Sequence, residues 1–427
     1  MTAELRRERP APPVRIVHLG LGAFHRAHQA WYTQRAEDGD GWGIAAFTVR
    51  SPAAAEALAA QDCLYTIVER AADGDRAELG TAIVAAHDGA DLEALERYLA
   101  DPAVAVVTLT VTEAGYALGD DGLPSAELLA DVGTERPTTV IGRLLRALEA
   151  RRRADAGPIA LVSCDNIPDN GAFLRRGLLA AAGGSADWIE RNVAVVATSV
   201  DRITPAVTTE LTATVERLTG LRDAAPVAAE PFSDWVLSGD FPAGRPRWES
   251  SGARFVDDLE PWERRKLRLL NGAHTLLALA GPPRGHATVA EAIGDPELRA
   301  AVEQLWDEAA ATLPADLDLE GYRAALLERF ENPRIEHRLA QIAQGSVTKL
   351  RLRIVPVALE RLAAGATASG CAHPVAAWIA AERPAVAERL TVAEALAELS
   401  PELAAHAGFA ASVRTTLAEL RAGAPAG

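Results

Sequence analysis

Only two of the 43 basic side chains in this 427-residue sequence are lysine, Lys266 and Lys349; the other 41 are arginine. An arginine stays protonated at any accessible pH, whereas a partly buried lysine can release its proton and act as a base. A lysine kept in so arginine-rich a chain therefore marks a place where arginine will not serve. Lys266 lies in the run Pro261-Trp-Glu-Arg-Arg-Lys-Leu-Arg-Leu-Leu-Asn-Gly-Ala-His-Thr275, which reads as a helix. At about 100° per residue, Glu263, Lys266, Asn271 and His274 fall within an arc of roughly 140°, with Leu267 and Leu270, while Arg264, Arg265 and Arg268 fall on the opposite side. A lysine and a histidine among leucines on an inward face would be partly desolvated, which lowers the lysine pKa and readies it as a general acid/base. A surface helix with a polar fringe would share this spacing, and the scarcity of lysine favours the catalytic reading.

Three further clusters carry polar chemistry. Ser163-Cys-Asp-Asn-Ile-Pro-Asp-Asn170 follows an apolar strand and offers Asp165 and Asn166. The carboxamides of Asn166 and Asn271 could donate hydrogen bonds to an alkoxide forming at a secondary alcohol, as an oxyanion hole does. The alternative is an Asx-turn leading into the next helix, with Asp169 or Asn170 as its cap. Ser199-Val-Asp-Arg-Ile-Thr-Pro205 places Asp201 and Arg202 side by side, either to orient site groups or as an ion pair. Gly345-Ser-Val-Thr-Lys-Leu-Arg-Leu-Arg353 holds Lys349 and Arg353 in a cationic cluster that suits an anionic or polyhydroxy substrate, or else forms a plain basic patch.

These groups need a scaffold, and the pattern supplies one. Val14-Arg-Ile-Val-His-Leu-Gly20 reads as a buried strand ending in the turn Gly20-Leu21-Gly22-Ala23-Phe24-His25, followed by a helix from about Phe24 to Arg35. The first glycine permits a tight turn and the second lets backbone approach a pyrophosphate at the start of the helix; a histidine stands where a third glycine is expected. The next strand ends in Val49-Arg50-Ser51 instead of an acid. Arg50 could stack on adenine or meet a 2′-phosphate, which leaves NAD and NADP both open. Further strands at Gly43 to Val49, Val104 to Val111, Ile159 to Ser163 and Val193 to Thr198 alternate with helical stretches, the mark of a doubly wound α/β sheet of Rossmann type. Beyond about residue 255 helical periodicity dominates, with loops expected at Pro282-Pro283, Asn332-Pro333 and Ala372 to Pro374 and fraying from Arg421 on. The division expected is a nucleotide-binding domain over 1–257 and a mostly α-helical substrate domain over 258–427.

Composition narrows the partners. A net charge of −16 disfavours nucleic acid and anionic membrane, which points to small molecules. Three scattered cysteines are too few for a disulfide framework or a cysteine zinc site, and fit a reducing cytoplasm. The charged start from Met1 to Pro13 lacks the apolar core of a signal peptide, and no apolar run is long enough to span a membrane.

Together the segments Gly20 to Gln29, Leu109 to Tyr116, Ser163 to Ile167, Val200 to Pro205, Glu230 to Val236, Gly244 to Glu249 and Lys266 to His274 resemble, in order, the polyol-specific long-chain dehydrogenases. That family contains mannitol dehydrogenase, arabinitol dehydrogenase and fructuronate reductase. The resemblance implies zinc-independent hydride transfer to or from a nicotinamide, with NAD the expected cofactor, at a CH–OH group. By matching positions it makes Lys266 the general acid/base, Asn166 and Asn271 the alkoxide stabilisers, His274 a ligand of substrate oxygen and Glu263 a proton conduit to solvent. Val111, Thr112 and Glu113 would line the cofactor site with Gly20, Gly22, Phe24, His25 and Arg50, and Asp201, Lys349 and Arg353 would face the substrate. Fructuronate reductases carry Gly-Ser-Gln-Lys-Leu-Pro-Gln-Arg near this chain's Gly345-Ser346, and mannitol-type members Gly-Ser-Asn-Arg. The segment ending in Arg353 is nearer the first pattern, whereas Ile354-Val355-Pro356 is similar to the second. The expected substrate is a sugar acid, with a polyol as the near alternative and a non-catalytic nucleotide-binding protein as the distant one, working as a monomer or small homo-oligomer.

Overall fold

The computed structural model describes residues 3–119, 121–382 and 392–422. Of the tail read as frayed, 423–427 lie outside the described residues. The chain divides into two compact units, Met1–Leu259 and Glu260–Gly427.

The first unit is built on an eight-stranded sheet. Its strands, labelled in chain order, are β1 Val14–Leu19, β2 Gly43–Phe47, β3 Ile83–His87, β4 Val106–Leu109, β5 Ile159–Ser163, β6 Val193–Asp201, β7 Asp234–Ser238 and β8 Arg254–Phe255. They lie in the order β8-β7-β6-β5-β4-β1-β2-β3. The six strands β1 to β6 pair in parallel, and β7 joins β6 antiparallel, with Asp234 opposite Asp201. The order 3-2-1-4-5-6 reverses direction between β1 and β4, where such sheets bind ligands at the carboxyl ends of their strands. Alternation within the strands fills both faces. Ile16, Ile44, Ala46, Val106, Ala160 and Val162 enter one core, whereas Val17, Leu19, Ala45, Phe47, Val107, Leu109 and Leu161 enter the other. A parallel sheet covered on both sides reads in the sequence as unbroken apolar runs, as these do.

Three elements depart from the sequence reading. The helix expected from Phe24 to Arg35 is two, Ala23–Ala27 and Gln29–Arg35, broken at His28, whose ring is held by the Asp234 carbonyl at 3.2 Å and by Gln29 at 3.0 Å. A separate three-stranded sheet, formed by Tyr65–Ala71, Gly74–Gly80 and Val227–Ala229, had no counterpart in the reading. In the second unit, the loop expected at Ala372 to Pro374 lies inside the helix Ser369–Glu382. The buried Glu308 carboxylate accepts from the Gly370 and Cys371 N–H groups at 2.8 Å each, anchoring that helix so that it absorbs Pro374 in its second turn.

Otherwise the second unit is helical, as its periodicity implies. The longest elements are Pro296–Ala310, Ser369–Glu382 and Ala407–Ala422. The segment from Gly272 to Ala280 is buried along its whole length and forms the centre of the unit. Among the described residues no helix is long and apolar enough to cross a membrane.

Candidate active site

In the first unit, a cleft of ≈450 Å³ opens at the carboxyl ends of β1, β2 and β4. Gly20, Arg50, Val111 and Thr112 line it, as do Leu21, Ser51 and Gly115, which the sequence reading had not singled out. Gly20 has φ +114°, and a Cβ there would lie 2.0 Å from the Thr110 carbonyl oxygen, so only glycine allows the turn to lie this close to β4. Thr110 fixes the approach by donating from Oγ1 to the Gly20 carbonyl at 3.0 Å. Bare backbone at the switch point, over a cleft of this size, fits the pyrophosphate of a dinucleotide. Arg50 is exposed and lines the same cleft.

The polar residues that follow the turn do not reach this cleft. His25, expected to face the cofactor in place of a third glycine, is fully buried and stacks on His18, with ring centroids 3.3 Å apart and planes 6° from parallel. Burial holds the His18 imidazole down at about 3 and that of His25 well below its ordinary value, so both are neutral near pH 7. His18 bridges Thr108 on β4, at 2.8 Å, and Thr110 just beyond it, at 3.0 Å. Phe24 stacks on His28, Gly22 precedes the first helix in extended conformation, and Glu113 is exposed in the one-turn helix Glu113–Tyr116; none of the three lines the cleft. The guanidinium of Arg26 donates to the carbonyls of Gly22, at 3.1 Å, and Ala225. Arg202 donates to the carbonyls of Ala27, at 2.6 Å, and Glu230, at 3.0 Å, and packs over Trp31. The polar residues that follow the glycine turn thus form a buried clamp that holds it.

Asn166 is exposed one residue beyond Asp165, past the end of β5, and Asp201 is buried as the last residue of β6. Neither Asp169 nor Asn170 caps the following helix with its side chain. Asp169 takes a left-handed conformation with no side-chain cap bond, and Asn170 is buried, donating to the carbonyls of Asp165 and Thr198 and accepting from the Thr198 N–H. Asp165 accepts from the Val111 N–H at 2.6 Å and from the Tyr116 hydroxyl, so it faces the cofactor loop from beneath.

In the second unit the expected helix is present over 260–280, but it is not uniformly α. Glu260–Arg265 is α-helical, Lys266–Asn271 is a π turn, and Gly272–Ala280 is α-helical again. In an α-helix Lys266 and Asn271 would stand about 140° apart. The i→i+5 pattern of a π turn brings them onto one side, and such turns recur at functional sites. Carbonyls loosened from the ladder are met from outside: Trp306 Nε1 donates to Leu269 O at 2.8 Å, and Arg353 donates to Asn271 O at 3.3 Å and to Thr275 Oγ1 at 3.1 Å. Glu263, Lys266 and Asn271 are half-buried, and His274 is buried.

The arginines placed on the opposite, outward side are not all outward. Arg265 and Arg268 are buried at 3% and 6% exposure. Arg265 stacks between Trp262 and Tyr322 and donates to the Leu317 carbonyl at 3.0 Å. Arg268 forms a forked pair with Glu360 and also reaches Thr312. The extra residue of the π turn, together with these partners, explains how the cationic face is absorbed into the fold.

His274 sits edge-on to His337 at 4.7 Å and against Phe330 at 4.9 Å. Its pKa is pushed well below the usual imidazole range, first by burial and then by the neighbouring charges of His337, Arg329, Arg353 and Lys349. Among the described residues its Nε2 has no hydrogen-bond partner. Lys349 donates to the Ile342 carbonyl at 2.6 Å, and its own pKa is lowered by burial and by Arg353, whose guanidinium burial holds at about 10. Pro356, similar to the mannitol type, falls in the first turn of the helix Val355–Ala363, where proline favours helix initiation. Among the described residues, no three or more His, Cys, Asp or Glu side chains group as a metal site.

Residues 14–250 match the mannitol dehydrogenase Rossmann domain, and 258–419 the mannitol dehydrogenase C-terminal domain. The uncharacterized oxidoreductase YeiQ of Escherichia coli is 39% identical over 80% of this chain and 73% of its own length. The D-mannonate oxidoreductase of the same organism is 38% identical over 86% and 79%. The Pseudomonas fluorescens mannitol 2-dehydrogenase, solved as a ternary complex with NAD and D-mannitol, is 31% identical with a TM-score of 0.77, covering 98% of this chain and 94% of that one.

Proposed function

The chain belongs to the mannitol dehydrogenase family of oxidoreductases, and we propose that within it this protein interconverts D-fructuronate and D-mannonate with NAD as hydride carrier. The observation that carries the choice of substrate is the charge around His274, where Arg329, Arg353 and Lys349 all act on it as cations. Such a group suits a carboxylate, which offers charge-assisted and forked hydrogen bonds, better than a neutral hexitol. The 38% identity to a D-mannonate oxidoreductase supports the same reading.

When bound, the nicotinamide accepts or returns the hydride at the substrate carbon. In oxidation, neutral Lys266 takes the hydroxyl proton while Asn166 and Asn271 donate hydrogen bonds to the oxygen as negative charge gathers there. In reduction, protonated Lys266 gives the proton back to the same oxygen. Glu263 passes that proton to or from water. His274, kept neutral by burial and cationic neighbours, presents Nε2 to a substrate oxygen, and Asp201, Lys349 and Arg353 orient the rest of the sugar acid.

A substrate panel tests this. The protein is offered fructuronate and mannonate, then fructose and mannitol, each with NAD(H) and NADP(H), and turnover is followed at the nicotinamide absorbance band. The expected kcat/KM for the uronate pair exceeds that for the polyol pair by on the order of a hundredfold or more. The reverse preference would make the protein a polyol dehydrogenase. No turnover with either class, despite cofactor binding, would leave a nucleotide-binding protein without this catalysis.

A further inference from the structure

We propose that Asp165 is a positioning residue of the cofactor site, its carboxylate clasping the Val111–Tyr116 loop to the end of β5 and so setting that loop and the adjoining Asn166 together. The inference rests on reading the cleft as the dinucleotide site.

Asp165 is 6% exposed, and both its oxygens have partners in one loop. Oδ1 accepts from the Val111 N–H at 2.6 Å, and Oδ2 accepts from the Tyr116 hydroxyl. These two donors stand at either end of the segment whose Val111, Thr112 and Gly115 line the cleft. The clasp is itself fixed from behind. Asn170 donates to the Asp165 carbonyl at 2.8 Å, and Thr198 Oγ1 donates to the Ser163 carbonyl at 2.7 Å, tying the turn to β6. Asp165 is thus held on rigid sheet, whereas the loop it clasps has little else of this kind: its core contacts are Val111 and Tyr116 themselves. A carboxylate buried beneath a binding loop, with both lone-pair faces turned on the loop, is expensive unless the loop position matters.

The ionised form accepts both hydrogen bonds at once. A protonated acid accepts at one oxygen only and forces the Tyr116 hydroxyl to turn, so the clasp depends on charge. Burial lifts the Asp165 carboxyl to about 7, against the pull of hydrogen bonds from Tyr116, Val111 and Ser163. The titratable groups facing it are Tyr116 and Cys164, each raised well above its ordinary value and so neutral across this range.

The test measures cofactor affinity apart from turnover, by titrating NADH fluorescence against the whole protein between pH 5.5 and pH 8.5, values that bracket the normal titration of a group near 7. For the unaltered protein the Kd is expected to rise as pH falls through about 7. Asp165→Asn keeps the size of the group and removes its charge; its Kd at pH 8 should rise by about tenfold, the order lost with one charge-assisted hydrogen bond, and its pH profile should be flat. Tyr116→Phe keeps the carboxylate and the Val111 bond but removes a donor that favours ionisation, so its acid limb should move to higher pH. Asp165→Asn with an unchanged Kd at pH 8, or with a lowered Tm but an unaltered Kd and pH limb in its folded fraction, would overturn the proposal and make Asp165 a filler of the core. Failure of the unaltered protein to bind NADH would instead overturn the reading of the cleft.

Discussion

Two segments of this chain crowd polar side chains together, and the fold uses them in opposite ways. Across 22–29, Arg26, His25 and His28 turn inward and, with Arg202 from another strand end, bind backbone carbonyls or stack on one another. Across 260–280, Arg265 and Arg268 are treated in the same way, yet Lys266 and Asn271 stay half-buried in the π turn, and His274, whose Nε2 has no partner among the described residues, lies near the cations Arg329, Lys349 and Arg353. A density of polar residues therefore does not identify chemistry. What separates the two segments is access: His25 is sealed at full burial against His18, whereas Lys266 and Asn271 remain half-buried.

The sharpest break in that comparison is Lys266→Ala. Turnover is expected to fall by about 10²- to 10⁴-fold, as for other general acid/base groups, with the cofactor Kd little changed; steady-state rates across pH and a fluorescence titration check both, and a loss of less than about tenfold would remove Lys266 from the role. Arg26→Ala should do the reverse. Removing a buried guanidinium that serves two carbonyls should lower stability by about 2–3 kcal/mol in denaturant unfolding, with kcat at saturating cofactor within about threefold of the original. A kcat loss as large as that of Lys266→Ala would place the clamp in the chemistry after all. Lys349→Gln sharpens the second segment. KM for a uronate should rise by about tenfold while KM for a polyol moves by less than about twofold, since only the carboxylate meets the lysine charge.

The smallest effect is on acid stability. His18, held at about 3, and His25, lower than its ordinary 6.5, take up protons in the unfolded chain well before they do so in the folded one. Their contribution is complete above about pH 6.5 and is lost as pH falls toward about 3, because the unfolded state then binds more protons. Asp165, raised to about 7 from an ordinary 3.8, opposes this between those two values, so the two imidazoles are partly offset by one carboxyl. Replacing His25 with Phe should flatten the decline of Tm between pH 6.5 and pH 4.5 by on the order of 2–4 °C. An unchanged slope would show that the stacked pair is not what acid attacks.

The scaffold was legible because its signals are local. Apolar runs such as 14–19, 43–47 and 159–163 can only be strands buried on both faces, and the Gly20 turn after the first of them set the end of the sheet at which ligands bind. The strands at 65–71 and 74–80 escaped because they pair mostly with each other, and the second is largely exposed, with polar side chains that give no clean alternation. The helix that carries Lys266, Asn271 and His274 was legible, but the uniform α spacing assigned to it was not right. A π turn leaves no mark in residue type and shows only in which carbonyls find outside donors, here Trp306 and Arg353. His25 misled because its type fits a ligand contact, whereas the ring that decides its place, His18, lies in the preceding strand.

The wide turn at 266–271 also makes the helix sensitive to chain length in a way its neighbours are not. Dropping one residue there would let the backbone relax into an unbroken α spiral, closing its own ladder and releasing Trp306 and Arg353 from their carbonyls. Such a shortened chain is expected to be at least as robust as the original, with its amine and amide rotated away from each other and, under the proposed mechanism, without turnover. The single surplus residue is, in that sense, what brings Lys266 and Asn271 to one side of the helix.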